Sequence, residues 1–135
     1  MATVRKLIEI DAAPEAVWDA VRDVGALHTR LVRGFVVDTV LEDGIRVGTF
    51  GNGTVQREPI VTCDDAERRL VYTAVESPLG ATHYNGAVLV SGSADGGTRV
   101  DWRIDVLPNS LAERLDQAME MGAAAMKRTL EHPDV

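Results

Sequence analysis

Along the chain the spacing of apolar residues changes period twice. Residues 4–11 alternate, with Val4, Lys6, Ile8 and Ile10 on one side and Arg5, Leu7, Glu9 and Asp11 on the other, as in a strand with one covered face. Pro14 then opens a segment in which Val17, Trp18 and Val21 share one helical face. Proline suits a first helical turn because its missing N–H would have no partner there. This predicts a short amphipathic helix ending at Asp23-Val24-Gly25, with the glycine left-handed, and a second short helix over residues 26–30. From Phe35 the period becomes two. Residues 35–41 are rich in β-branched side chains and Glu42-Asp43-Gly44 is a turn signal. Residues 45–51 and 54–64 flank Asn52-Gly53, a pair suited to the two positive φ angles of a type I′ hairpin turn. Pairing about that turn sets Val47 opposite Glu58 and Thr49 opposite Gln56. Further strands are predicted over residues 70–76, 82–92 and 99–106, the last with Val100, Trp102, Ile104 and Val106 on one face. The chain closes on its longest helix. Ser110-Leu111-Ala112-Glu113 has capping-box spacing, and Leu115, Met119, Gly122, Met126 and Leu130 make one apolar stripe. With no repeat or linker, one α+β domain over residues 1–135 accounts for the pattern, its last helix covering an antiparallel sheet.

The same alternation carries polar groups onto apolar faces. Gln56 and Glu58 share a face with Ile60; Ala74 and Glu76 share one with Leu70 and Tyr72; Tyr84 and Gly86 share one with Val88 and Val90. Two carboxylates, two phenols and Trp102 therefore converge on the interior. A buried carboxylate is costly unless paired or hydrogen-bonded. The plainer alternative leaves Glu58 and Glu76 near sheet ends in water and has the tyrosines cap the core. Ala74, Gly86 and Ala87 in strands, and Gly122-Ala123-Ala124-Ala125 in the helix, fit either a gap between sheet and helix or a close approach of the two. Met119 and Met126 suit an irregular ligand surface or a core.

Composition narrows the chemistry. Hydrophobic residues make up 45% of the chain but aromatics only 4%, so the core is aliphatic and each Trp and Tyr stands out. A net charge of −7 with no polybasic block opposes binding to nucleic acid or anionic membranes. No stretch approaches the ~18–20 apolar residues of a membrane span, and the first six residues lack the apolar region of a signal peptide. The expected compartment is the cytoplasm. The single Cys63 reads as a small core residue of a strand. His28, His83 and His132 lack metal-ligand spacing, Ser77 and Ser91 lack a nucleophile-elbow context, and the glycine pairs lie in hairpins rather than before a helix. Neither metal nor cofactor is expected.

Several short segments have a familiar order. Ala13-Pro14-Glu15-Ala16-Val17-Trp18-Asp19-Ala20-Val21-Arg22-Asp23 follows a first strand; then come Arg57-Glu58, Asp64-Asp65 with Arg68-Arg69-Leu70-Val71-Tyr72, Val75-Glu76-Ser77-Pro78, the Tyr84 strand, Gly97-Thr98-Arg99-Val100-Asp101-Trp102 and a closing helix. Together they resemble the START/Bet v 1-like (SRPBCC) superfamily, in particular its polyketide cyclase/dehydrase and lipid-transport branch. The resemblance implies a helix-grip fold: a seven-stranded curved antiparallel sheet wrapped around the C-terminal helix, with two short helices between the first two strands. It implies a cavity for a hydrophobic ligand. By similarity to hormone-binding plant members, Gln56, Glu58, Tyr72, Ala74, Tyr84 and Gly86 would line it. Gly51-Asn52-Gly53 and Ser77-Pro78-Leu79-Gly80 would stand where those members have gating loops. Glu76, Trp102, Met119, Gly122 and Met126 complete the candidate ligand-binding set. Where relatives often have a Trp-x-Pro segment, this chain has Leu27-His28-Thr29-Arg30-Leu31-Val32-Arg33-Gly34, so a different entrance is expected. Short loops and few aromatics imply a small cavity.

Three functions fit these residues. The first is a carrier or sensor of a small hydrophobic molecule, with Glu58 or Tyr84 hydrogen-bonding its polar end. The second is a cyclase, aromatase or dehydratase in which Glu58, with Tyr72 or Tyr84, acts as acid and base. The third is a module that binds a protein partner. A cavity below the ~300 Å³ of small-molecule sites would count against the first two.

Overall fold

The computed structural model describes residues 1–134, so Val135, the last residue of the expected domain, lies outside the described residues. The chain forms strand β1 (Ala2–Ile10), helix α1 (Pro14–Arg22), strands β2 (Val36–Glu42), β3 (Ile45–Phe50), β4 (Val55–Asp64), β5 (Arg69–Thr73), β6 (His83–Gly92) and β7 (Thr98–Leu107), and helix α2 (Ala112–Glu131). The strands make one antiparallel sheet in the order β1-β7-β6-β5-β4-β3-β2, which grips α2: an α+β helix-grip fold. Between α1 and β2 the expected second short helix is present as a π-helical turn over Leu27–Leu31, preceded by a 3-10 turn over Val24–Ala26. A left-handed glycine does not end α1. Gly25 is not in the positive-φ region, and the helix closes at Asp23 with φ −82° and ψ 71°.

Turn chemistry decides the register of the site. The type I′ turn lies at Asp43-Gly44, where φ is 51° and 79°. The β3–β4 hairpin closes instead through the three residues Gly51-Asn52-Gly53, of which only Gly53 is left-handed, with φ 88°. Gly53 N–H donates to the Phe50 carbonyl at 2.9 Å and Phe50 N–H to the Thr54 carbonyl at 2.8 Å. Asn52 Oδ1 accepts from the Thr54 amide and hydroxyl. A three-residue loop in place of a two-residue one moves every pair by one position. Arg46 therefore faces Glu58, Val47 faces Arg57, Gly48 faces Gln56 and Thr49 faces Val55, which corrects the expected Val47–Glu58 and Thr49–Gln56 pairs. In β4 a bulge follows Ile60, and Cys63, the next-to-last residue of the strand, is exposed rather than in the core.

Helix α2 begins after a 3-10 turn over Asn109–Leu111 without a side-chain cap, so the Ser110–Glu113 capping box does not form. Its apolar stripe is as expected: Leu115, Met119, Gly122, Met126 and Leu130 are buried, joined by Ala125 and Thr129. Thr129 Oγ1 donates to the Ala125 carbonyl at 2.7 Å and accepts from Arg33 N–H at 3.1 Å, tying the helix to the segment before β2. At the opposite edge Lys6 of β1 pairs with Asp116 and Glu120 of α2. The helix packs against β1 and the Leu27–Leu31 turn, with no comparable packing on β3, β4 or β5. It thus stands off from one half of the sheet.

The small residues do not make that gap. Gly86 lies directly across from Tyr72, whose ring covers it; a Cβ at Gly86 would sit 2.4 Å from Tyr72 Cζ. A Cβ at Gly122 would meet Trp102 Cη2 at 3.0 Å and Phe35 Cε2 at 3.2 Å. Both glycines admit aromatic rings, which is the close-approach alternative. Gly86→Ala should cost about 1–3 kcal/mol, the usual range for overpacking, measured by urea denaturation. An unchanged midpoint would mean that the Tyr72 ring does not lie over this strand.

Candidate functional site

Between α2 and the β3–β5 half of the sheet is a cavity of about 460 Å³. Gln56 and Glu58 from β4, Tyr72 from β5, Tyr84 from β6 and Trp102 from β7 line it from the sheet, and Met119 and Met126 from the helix. Gly51, Asn52, Pro78 and Leu79 border it, whereas Gly53, Ser77 and Gly80 do not. Exposed Arg114 and Met121 of α2 stand on the same rim. Four candidates lie elsewhere. Gly86 and Gly122 are covered by the rings described above, and Ala74 packs against the core just beyond β5. Glu76 is exposed: β5 ends at Thr73, and Glu76 adopts φ 54°, so the alternation that would turn it inward has already stopped. Trp18 also lies outside the cavity lining, its Nε1–H donating to Asp65 at 2.9 Å.

One charged residue at the centre of the site is absent from the candidate set. Arg46, 3% exposed, reaches in from β3 and its Nε donates to Glu58 Oε1 at 2.8 Å. Gln56 Nε2 donates to Glu58 Oε2 at 2.7 Å, so both oxygens of the buried carboxylate are held. The Arg46 guanidinium carbon lies 5.2 Å from the centre of the Tyr72 ring, a cation–π contact. Trp102 Nε1–H completes the cluster by donating to the Tyr72 hydroxyl at 2.9 Å. The signal for Arg46 was present in the requirement that a buried carboxylate have a counter-charge. The one-residue error in register hid the partner.

A sequence model describing polyketide cyclase / dehydrase and lipid transport proteins matches residues 1–132. The chain belongs to this family. Solved structures with the same fold include XoxI from Bacillus cereus, at 20% identity and TM-score 0.86 over 96% of each chain. A START superfamily protein from Mycobacterium smegmatis aligns at 15% identity and TM-score 0.77, over 97% of this chain and 98% of the other. The Zhui aromatase/cyclase from a Streptomyces species aligns at 15% identity and TM-score 0.75, over 98% and 92%. No curated protein is significantly similar in sequence. Among the described residues no helix is long and apolar enough to cross a membrane, and no cluster of three or more His, Cys, Asp or Glu side chains is placed to hold a metal ion.

In this member of the family the surroundings of both phenols favour the protonated hydroxyl. Burial, followed by the nearby Glu58 charge, pushes the Tyr72 hydroxyl far above the usual tyrosine range. Burial and then its neighbours Tyr72 and Glu58 do the same to Tyr84, opposed by hydrogen bonding with Gln56. A phenol whose folded pKa lies above its unfolded value near 10.0 favours the fold fully below that pH and progressively less above it. Since the chain has only two tyrosines, ultraviolet titration should show no phenolate near pH 10 in the native protein. Both should ionise together with alkaline unfolding. A phenolate signal that precedes loss of the fold would place one ring in water.

Proposed function

We propose that this protein is a noncatalytic carrier or sensor of a small apolar molecule with one polar end, bound in the cavity between the sheet and α2. The observation that carries the reading is the pairing of Glu58 with Arg46 and Gln56. A general base must take a proton from the reacting group, and proton uptake at Glu58 would leave the Arg46 charge buried without its partner. The cyclase-like alternative needs that carboxylate free. A volume of about 460 Å³ lies within the range of small-molecule sites, and the lining is largely apolar. The family description covers lipid transport as well as cyclases, and the likeness to an aromatase/cyclase at 15% identity carries fold alone.

Native mass spectrometry of the protein purified from its own host is expected to show a small-molecule adduct released on denaturation. Ala118 lines the cavity from α2, and Ala118→Phe, which fills the space, should abolish that adduct and the uptake of a neutral apolar dye while circular dichroism stays unchanged. Absence of both adduct and dye uptake in the unmodified protein would sink the reading. Turnover of a bound compound that Glu58→Gln removes would replace the carrier by the enzyme.

A further inference from the structure

We infer that Arg46 anchors the polar end of the bound molecule, and that this end is an uncharged oxygen acceptor, the carbonyl of a ketone, ester or amide, rather than a carboxylate; the inference rests on the carrier reading above. Arg46 has five N–H donors and commits Nε to Glu58. Among the described residues neither terminal guanidinium nitrogen makes a hydrogen bond to protein. Neither is sealed away: the fully enclosed side-chain polar atoms without a partner are His28 Nδ1 and Thr39 Oγ1. In a side chain that is 96% buried and lines the cavity, those nitrogens open onto the cavity itself. Buried donors left unpaired are costly, so the site calls for an acceptor.

Charge selects which acceptor. Arg46 and Glu58 together are neutral, and the other charged group of the lining, Arg114, is exposed on the rim. A ligand carboxylate at Arg46 would stand beside Glu58 and give the buried cluster a net negative charge with no second cation. Like charges at short range in a low dielectric repel strongly. A neutral carbonyl takes the same N–H groups without that penalty, and the protonated Tyr84 hydroxyl on the same wall adds another donor. An acid could enter only with its carboxylate outward at Arg114, leaving the donors of Arg46 unmet.

Three probes of matched shape separate these outcomes: naphthyl methyl ketone, naphthoate and isopropenylnaphthalene, titrated at neutral pH against a neutral fluorescent dye. The ketone should bind about tenfold more tightly than each of the others, the ratio produced by about 1.4 kcal/mol. Naphthoate binding as tightly as the ketone would overturn the inference and leave the carrier reading intact. If none of the three displaces the dye or binds, the carrier reading itself fails. Arg46→Met combined with Glu58→Leu replaces the ion pair by apolar groups, a change that buried pairs tolerate, and should erase the ketone's advantage over the hydrocarbon. An advantage that persists there overturns the assignment to Arg46. Infrared spectroscopy of the ketone bound to the unmodified protein tests the same contact without a variant. A carbonyl stretch lowered relative to hydrocarbon solvent is expected, and an unshifted band overturns the inference.

Discussion

A carboxylate on the inner face of a sheet must be given a counter-charge, and much of this site follows from how that demand is met. Glu58 is 7% exposed; without a partner its burial would cost several kcal/mol. The three-residue turn at Gly51-Asn52-Gly53 brings Arg46 opposite it. The guanidinium then lies over Tyr72, Tyr72 is anchored by Trp102, and its ring can cover the neighbouring strand β6 because position 86 carries no side chain. Trp102 in turn presses on the helix where Gly122 leaves room. A turn of three residues at the sheet's edge is thus linked by successive contacts to the middle of α2.

The cavity is therefore not a place where side chains are small. Its walls carry Tyr72, Tyr84, Trp102, Phe35 and Phe50, the last two meeting edge-on with ring centres 5.3 Å apart. Space lies where α2 is not close to the sheet: the helix is nearest β1, where Lys6 meets Asp116 and Glu120, and it is tied to the segment before β2 through Thr129. The other half of the curved sheet is left uncovered by the helix. Aromatic scarcity acquires a different meaning here: the two tyrosines and one of the two tryptophans border the same space, while Trp18 is held by Asp65 away from it.

Most of the fold was legible in alternation and helical spacing, because β1, β6, β7 and the first half of β4 each bury one face and α2 buries one stripe. Those periods depend on burial alone, and burial is written in residue type. What escaped depended on backbone details that residue type determines only loosely. Asn52-Gly53 and Asp43-Gly44 both suit a type I′ turn, yet only the second forms one; the first yields to a loop one residue longer. Alternation carries the strand on to residue 76, but the chain turns left-handed there after a strand that ends at Thr73. Gln56, Glu58, Tyr72 and Tyr84 were reachable through face parity within single strands. Arg46 required the register between two strands, and a slip of one residue sends every side chain to the opposite face.

The same pair shows what a buried carboxylate beside a cavity requires. A lone buried carboxylate beside a cavity is pushed towards its neutral form by desolvation, which brings it into the range where it can exchange protons with a bound molecule. Pairing with an arginine supplies the counter-charge that burial demands. Here the partner is supplied from the neighbouring strand at 2.8 Å, with Gln56 holding the second oxygen. The result is a preorganised hydrogen-bonding surface. Arg46 makes this contact through Nε, so the pair spans β3 and β4 and holds the two strands in register on the inner face of the sheet. A change at only one of positions 46 and 58 would leave the other charge buried without its partner, so the two residues act as a unit in holding the inner face of the sheet.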